Sequence, residues 1–208
     1  HALLRIVDFP RGARKWVTMR RDGLRAEFVD RGGRCSRRFA PGDLLEIEID
    51  RRGAGMPPLS GVRAVSRLDL QYGIPLSTLS VWLLDLVETG LADDDPHPEL
   101  FRLIALLHTP TVADDPVGAW GELTFRVAQA YGVWDPGDVC ACRRSGALLH
   151  CEDCAIRLGK SLKTTLGRYT VSVSQLVDVI EFVWNDQFGR RLRTASTIRE
   201  YGQRGLLG

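Results

Sequence analysis

Hydrophobic and polar positions alternate with period two along the first third of the chain, and recur with a helical period after it. Short runs at Ala2–Phe9, Lys15–Arg20, Leu24–Asp30, Leu44–Asp50 and Leu59–Val65 predict five strands. The clearest is Leu45-Glu46-Ile47-Glu48-Ile49, apolar on one face and acidic on the other. Arg11-Gly12, Asp22-Gly23, Gly32-Gly33, Pro41-Gly42 and Pro57-Pro58 supply turn signals between them. Five strands in about 70 residues fit a small closed β-barrel of the OB type, and an SH3-like barrel fits the pattern nearly as well.

The helical period begins at Ser77. Ser77–Leu91 carries Leu79, Leu83, Leu86 and Val87 on one face, with Ser77 as N-cap. Pro98–His108 does the same with Leu100, Leu103, Ile104 and Leu107. Pro116–Tyr131 follows Asp114 and Asp115, so acids sit at the positive end of the helix dipole and proline in the first turn. Val173–Phe188 has a buried stripe of Leu176, Val177, Ile180, Val183 and Trp184. Gly189–Gly208 is basic and punctuated by glycine, and reads as a partly disordered tail. The expected fold class is α+β. An OB-like β-barrel over residues 1–70 precedes a helical domain over residues 71–208, whose helices are too short to be stable alone.

Charge sharpens this division. The formal net charge is only +2, but residues 1–70 hold 15 Lys/Arg against 9 Asp/Glu. Residues 71–138 hold 2 against 11, and residues 139–208 hold 11 against 6. Two basic ends flanking an acidic middle point to one surface that meets a polyanion. The basic set is Arg11, Arg14, Lys15, Arg20, Arg21, Arg25, Arg31, Arg34, Arg37 and Arg38, interleaved with Trp16, Phe28 and Phe39. Arginine suits bidentate phosphate contact, and stacking rings in a basic groove are how OB-folds hold single strands. The plainer alternative is a solvated charged surface, with Trp16 and Phe28 in the barrel core. Arg190 and Arg191 suit either phosphate contact or the negative end of the preceding helix.

Four of the five cysteines, Cys140, Cys142, Cys151 and Cys154, fall in a C-x-C-x8-C-x2-C pattern. Two close pairs can supply a zinc tetrahedron, so residues 139–155 read as a knuckle holding a structural zinc, with His150 as an alternative donor. Disulfides and a metal-free knuckle remain open. The chain shows no export signal and no apolar run near the ~20 residues a membrane span needs. The expected compartment is therefore the reducing cytoplasm, where paired cysteines more often bind metal. Cys35 reads as a tolerated lone thiol. No P-loop, G-x-S-x-G or G-x-G-x-x-G occurs, and Asp93-Asp94-Asp95 reads as a solvated loop, so no enzymatic activity is expected.

Several stretches, in order along nearly the whole chain, resemble RecO, the bacterial recombination mediator family. They are ALLRIVDF, WVTMRRDG, FVDRGGRCSRRFAPGDLLEIEID, ELTFRVAQAYGVWDP, LLHCEDCA and FGRRLRTAS. The family's first cysteine position falls at Val139, one residue before Cys140, and the chain is shorter than typical members. The resemblance implies a non-catalytic protein of the bacterial cytoplasm, associated with the nucleoid. Such a protein binds single- and double-stranded DNA, anneals complementary strands and works with RecR. It would help RecA onto DNA covered by single-strand-binding protein, whose acidic tail docks on the helical domain. From the residues alone, a protein- or RNA-binding scaffold without annealing activity remains the alternative.

Overall fold

The computed structural model describes residues 1–9, 12–31, 38–50, 55–68, 73–114, 116–133 and 173–206. The chain forms two compact units. One comprises His1–Asp69 with Leu91–Pro110, the other Leu70–Gly90 with Thr111–Gly208.

The first unit is built on strands β1 (Ala2–Asp8), β2 (Arg14–Met19), β3 (Arg25–Asp30), β4 (Leu44–Ile49) and β5 (Leu59–Ser66). They form one antiparallel sheet in the order β3-β2-β1-β4-β5. Alternation sets the register: Ile6, Trp16 and Phe28 lie opposite one another on three neighbouring strands. Trp16 and Phe28 join Leu3 and Leu45 in the core, with Ile47, Ile49, Leu59 and Val62 packed against it. Trp16, Val17, Thr18 and Met19 are all buried, so this part of β2 is covered on both faces.

Helix α2 (Pro98–Leu106) belongs to this unit and packs against β1, burying Leu100, Leu103 and Ile104. Its periodicity alone groups it with the other helices; the fold places it with the strands. Gly23, in the β2–β3 turn, makes this possible. Its φ is +87°, and a Cβ there would come within 2.1 Å of the His97 backbone.

The closed barrel expected from the strand count is replaced by a sheet whose outer strands barely meet. Val29 in β3 and Pro58 form a single parallel bridge, with the Val29 N–H donating to the Pro57 carbonyl at 3.1 Å. No further ladder joins β3 to β5 among the described residues. Pro57 and Pro58 precede β5 and carry no N–H, which stops the pairing there.

The second unit contains helices α1 (Ile74–Gly90), α4 (Pro116–Ala130), α5 (Val173–Phe188) and α6 (Ala195–Gln203). A short α3 (Pro110–Asp114) falls at the sequence boundary between the units. Helix α1 packs against α4, α5 and α6. Its predicted stripe Leu79, Leu83, Leu86 and Val87 is buried, as are Val177, Ile180, Val183 and Trp184 of α5. Two polar groups between these helices find partners: Trp82 Nε1 donates to Thr124 Oγ1 at 3.0 Å, and Tyr131 Oη donates to the Val87 carbonyl at 2.6 Å. The Tyr131 ring leaves no room at Gly90, where a Cβ would sit 2.8 Å from it.

Two helix starts differ from expectation. Helix α1 begins at Ile74, and Ser77 lies inside it, donating its N–H to the Gly73 carbonyl at 3.3 Å. Pro75 lacks only an N–H that a first turn leaves unpaired, so it does not delay the helix. The tail expected to be partly disordered contains α6, which packs on α5 and buries Ala195 and Ile198, with Leu192 buried just ahead of it. Those three recur every third residue, a signal masked by the arginines and glycines around them. No helix among the described residues is long and apolar enough to cross a membrane.

Candidate nucleic-acid interface

The cations predicted on the strands separate into two groups. Lys15 Nζ lies 2.6 Å from Glu27, and the Arg25 guanidinium lies 2.7 Å from the same carboxylate and 3.5 Å from Asp93. Arg14 pairs with Asp8 at 3.2 Å, and Arg20 with Asp22 at 2.6 Å. Burial pushes the Glu27 pKa up, but hydrogen bonds and charge from Lys15 and Arg25 outweigh it and hold the carboxyl below the usual range. This part of the β2–β3 surface is thus internally neutralised. Arg21, Arg31 and Arg38, by contrast, are exposed and have no acidic partner among the described residues. Trp16 and Phe28 are core residues, as the plainer alternative holds.

Phe39 is placed differently. It is partly buried, its ring centre lies 6.0 Å from that of Trp16 in a T-shaped arrangement, and the Arg67 guanidinium carbon lies over the ring, 5.5 Å from its centre. A buried carboxylate and a half-buried imidazole create this meeting. Asp43 accepts hydrogen bonds from the backbone N–H groups of Ala40 and Leu68, both at 3.0 Å. His108 lies 2.9 Å from both Ser66 Oγ and the Gly42 carbonyl. Each latch ties the segment before β4 to the end of β5, and Phe39 and Arg67 are the residues beside Ala40 and Leu68. Sequence reasoning passes over Arg67 because it stands alone beyond the last strand, with no local signal.

In the second unit Arg190 donates to the Thr89 carbonyl at 3.5 Å, so it caps the end of α1 rather than the helix it follows. Arg191 is exposed. Neighbouring Arg193 is held by Asp85 and Glu88. Burial lowers its pKa, but hydrogen bonds and charge from Glu88 and Asp85 raise it above the usual value. The predicted site residues Arg11, Arg34, Arg37, Cys140, Cys142, Cys151 and Cys154, with Cys35 and His150, lie outside the described residues. Among the described residues no group of three His, Cys, Asp or Glu could hold a metal ion. Asp93 and Asp95 are instead exposed partners of Arg25 and His97.

No protein-family model matches the chain, and no curated protein is significantly similar to it.

Proposed function

We propose that this chain is a non-catalytic DNA-binding recombination mediator of the RecO type, which binds single- and double-stranded DNA and anneals complementary strands. The observation that carries the reading is the state of Arg31 and Arg38. They stand at the described ends of the basic β3–β4 connection, exposed and free of acidic partners among the described residues. Cations left unpaired beside a surface that neutralises itself are available for phosphates. The strand order and the parallel bridge Val29↔Pro58 are compatible with an OB-like sheet left open between β3 and β5, and OB-folds hold oligonucleotides on their strands and loops. RecR and the tail of single-strand-binding protein are the partners this reading assigns, in a cytoplasmic, nucleoid-associated setting. Annealing needs no catalytic group, because neutralised phosphates repel less and unread bases stay free to pair.

The reading includes a structural zinc. Four thiolates at Cys140, Cys142, Cys151 and Cys154 would fill the tetrahedron and leave no position for a reacting water. Purified protein should then carry zinc that is lost in Cys151→Ser; metal-free wild type would remove the zinc.

Fluorescence anisotropy with a labelled single strand tests the main proposal. Affinity should fall steeply with salt, and Arg31→Ala with Arg38→Ala should flatten the slope by about 0.7 per lost phosphate contact. Salt-independent binding, or a wild-type slope in the double variant, would remove these residues from the site. The pairing of Lys15 and Arg25 with Glu27 favours a second reading, a protein- or RNA-binding scaffold. A scaffold should give no strand annealing.

A further inference from the structure

We infer that Arg67, held over the ring of Phe39, is a stacking platform for one unpaired nucleobase, so that the strand unit distinguishes single strands from duplex. The inference rests on the DNA-binding reading above and adds a residue and a selectivity to it.

The platform has three layers. Trp16 is fully buried and packs against Phe39 in a T-shaped pair, and the exposed Arg67 lies over the Phe39 ring. Arg67 is exposed, so the guanidinium presents a planar cation to solvent. Such planes take nucleobases by stacking, as aromatic rings do, and every base offers a face whatever its sequence. In a duplex those faces are occupied by neighbouring bases.

Charge fits the same occupant. Arg38 and Arg67 flank Phe39, both exposed and without an acidic partner among the described residues. Asp43, close by in the chain, is buried, and its two oxygens take the Ala40 and Leu68 N–H groups. Two cations around one ring therefore suit a base with its adjoining phosphate. The Asp43 and His108 latches hold the ring and the guanidinium in place before any ligand arrives, which lowers the ordering cost of binding.

The test uses the full chain and three probes: oligothymidine, an abasic strand of equal length, and a duplex. Wild type should bind oligothymidine about tenfold more tightly than the abasic strand, the range expected for stacking one base. Arg67→Lys keeps the charge and removes the plane, so it should erase that difference while leaving duplex affinity unchanged. Phe39→Leu keeps apolar volume but frees the guanidinium, and should lower oligothymidine affinity several-fold. Arg67 is exposed, so its substitution should leave the melting temperature near that of wild type. If wild type binds oligothymidine and the abasic strand equally, or Arg67→Lys retains the preference, the platform is wrong while DNA binding stands. If wild type binds none of the three probes, the DNA-binding reading fails and takes the platform with it.

Discussion

Asp43→Ala should destabilise the strand unit by about 3 kcal/mol, because it orphans two backbone donors at once. The side chain is buried and accepts from Leu68 N–H and Ala40 N–H at 3.0 Å each. The Leu68 bond is itself buried, so its donor finds no water when the carboxylate goes; that loss costs about 1–3 kcal/mol. The Ala40 donor is only part-buried and can be partly rehydrated, which adds about 0.5–1.5 kcal/mol. Asp43→Asn keeps one acceptor oxygen and should lose about half as much. Urea denaturation followed by Trp fluorescence measures the sum. Native-state hydrogen exchange resolves the parts, since Leu68 and Ala40 amides should exchange faster than their neighbours. Loosening the latch should also weaken the preference for oligothymidine over an abasic strand. A stability within about 0.5 kcal/mol of wild type, with unchanged protection at Leu68, would refute the idea that Asp43 joins the two segments.

Other consequences are as direct. Gly23→Ala demands a positive φ and places a Cβ against the His97 backbone, so it should cost at least about 3 kcal/mol; thermal melting near wild type would mean the turn and α2 do not meet. Glu27 is held below the usual carboxylate range, so its ionised form adds stability above the ordinary value of about 4.3, and that contribution is lost as pH falls through the depressed one. Glu27→Gln should therefore be less stable than wild type at neutral pH and converge with it in acid; parallel stability–pH curves would contradict this. Asp85→Ala removes the acceptor for Thr194 N–H at 3.0 Å and Thr194 Oγ1 at 2.9 Å and half of the Arg193 clamp. Arg193 is nearly half exposed, so the ion pair is discounted and a loss of about 2–4 kcal/mol is expected, read as release of α6 in hydrogen exchange.

The candidate site was only partly legible. Arginine density in the first third marked a polyanion surface, but it did not tell Lys15 and Arg25, which share Glu27, from Arg31 and Arg38. Arg25 reaches Glu27 along β3, two residues away, but Lys15 reaches it diagonally across the β2–β3 pair, where Glu27 lies opposite Val17, and that neighbour is set by strand pairing. Of the interleaved aromatics, Trp16 and Phe28 turn into the core, as the plainer alternative has it, while Phe39 stands on a connection at its edge.

The sequence by itself determined the elements. Period-two runs became β1 to β5, and helical stripes became α1, α2, α4 and α5, each within a few residues. Such patterns are local records of one-sided burial, so neighbours along the chain suffice to read them. Tertiary structure decided the rest: that α2 packs with the strands, that α6 forms at all, and that Arg67 lies on Phe39. Each of these depends on groups far apart in sequence. Of the two hydrogen bonds at Asp43, the one from Ala40 is local, but the one from Leu68 spans the β4–β5 pair and neither segment encodes it alone.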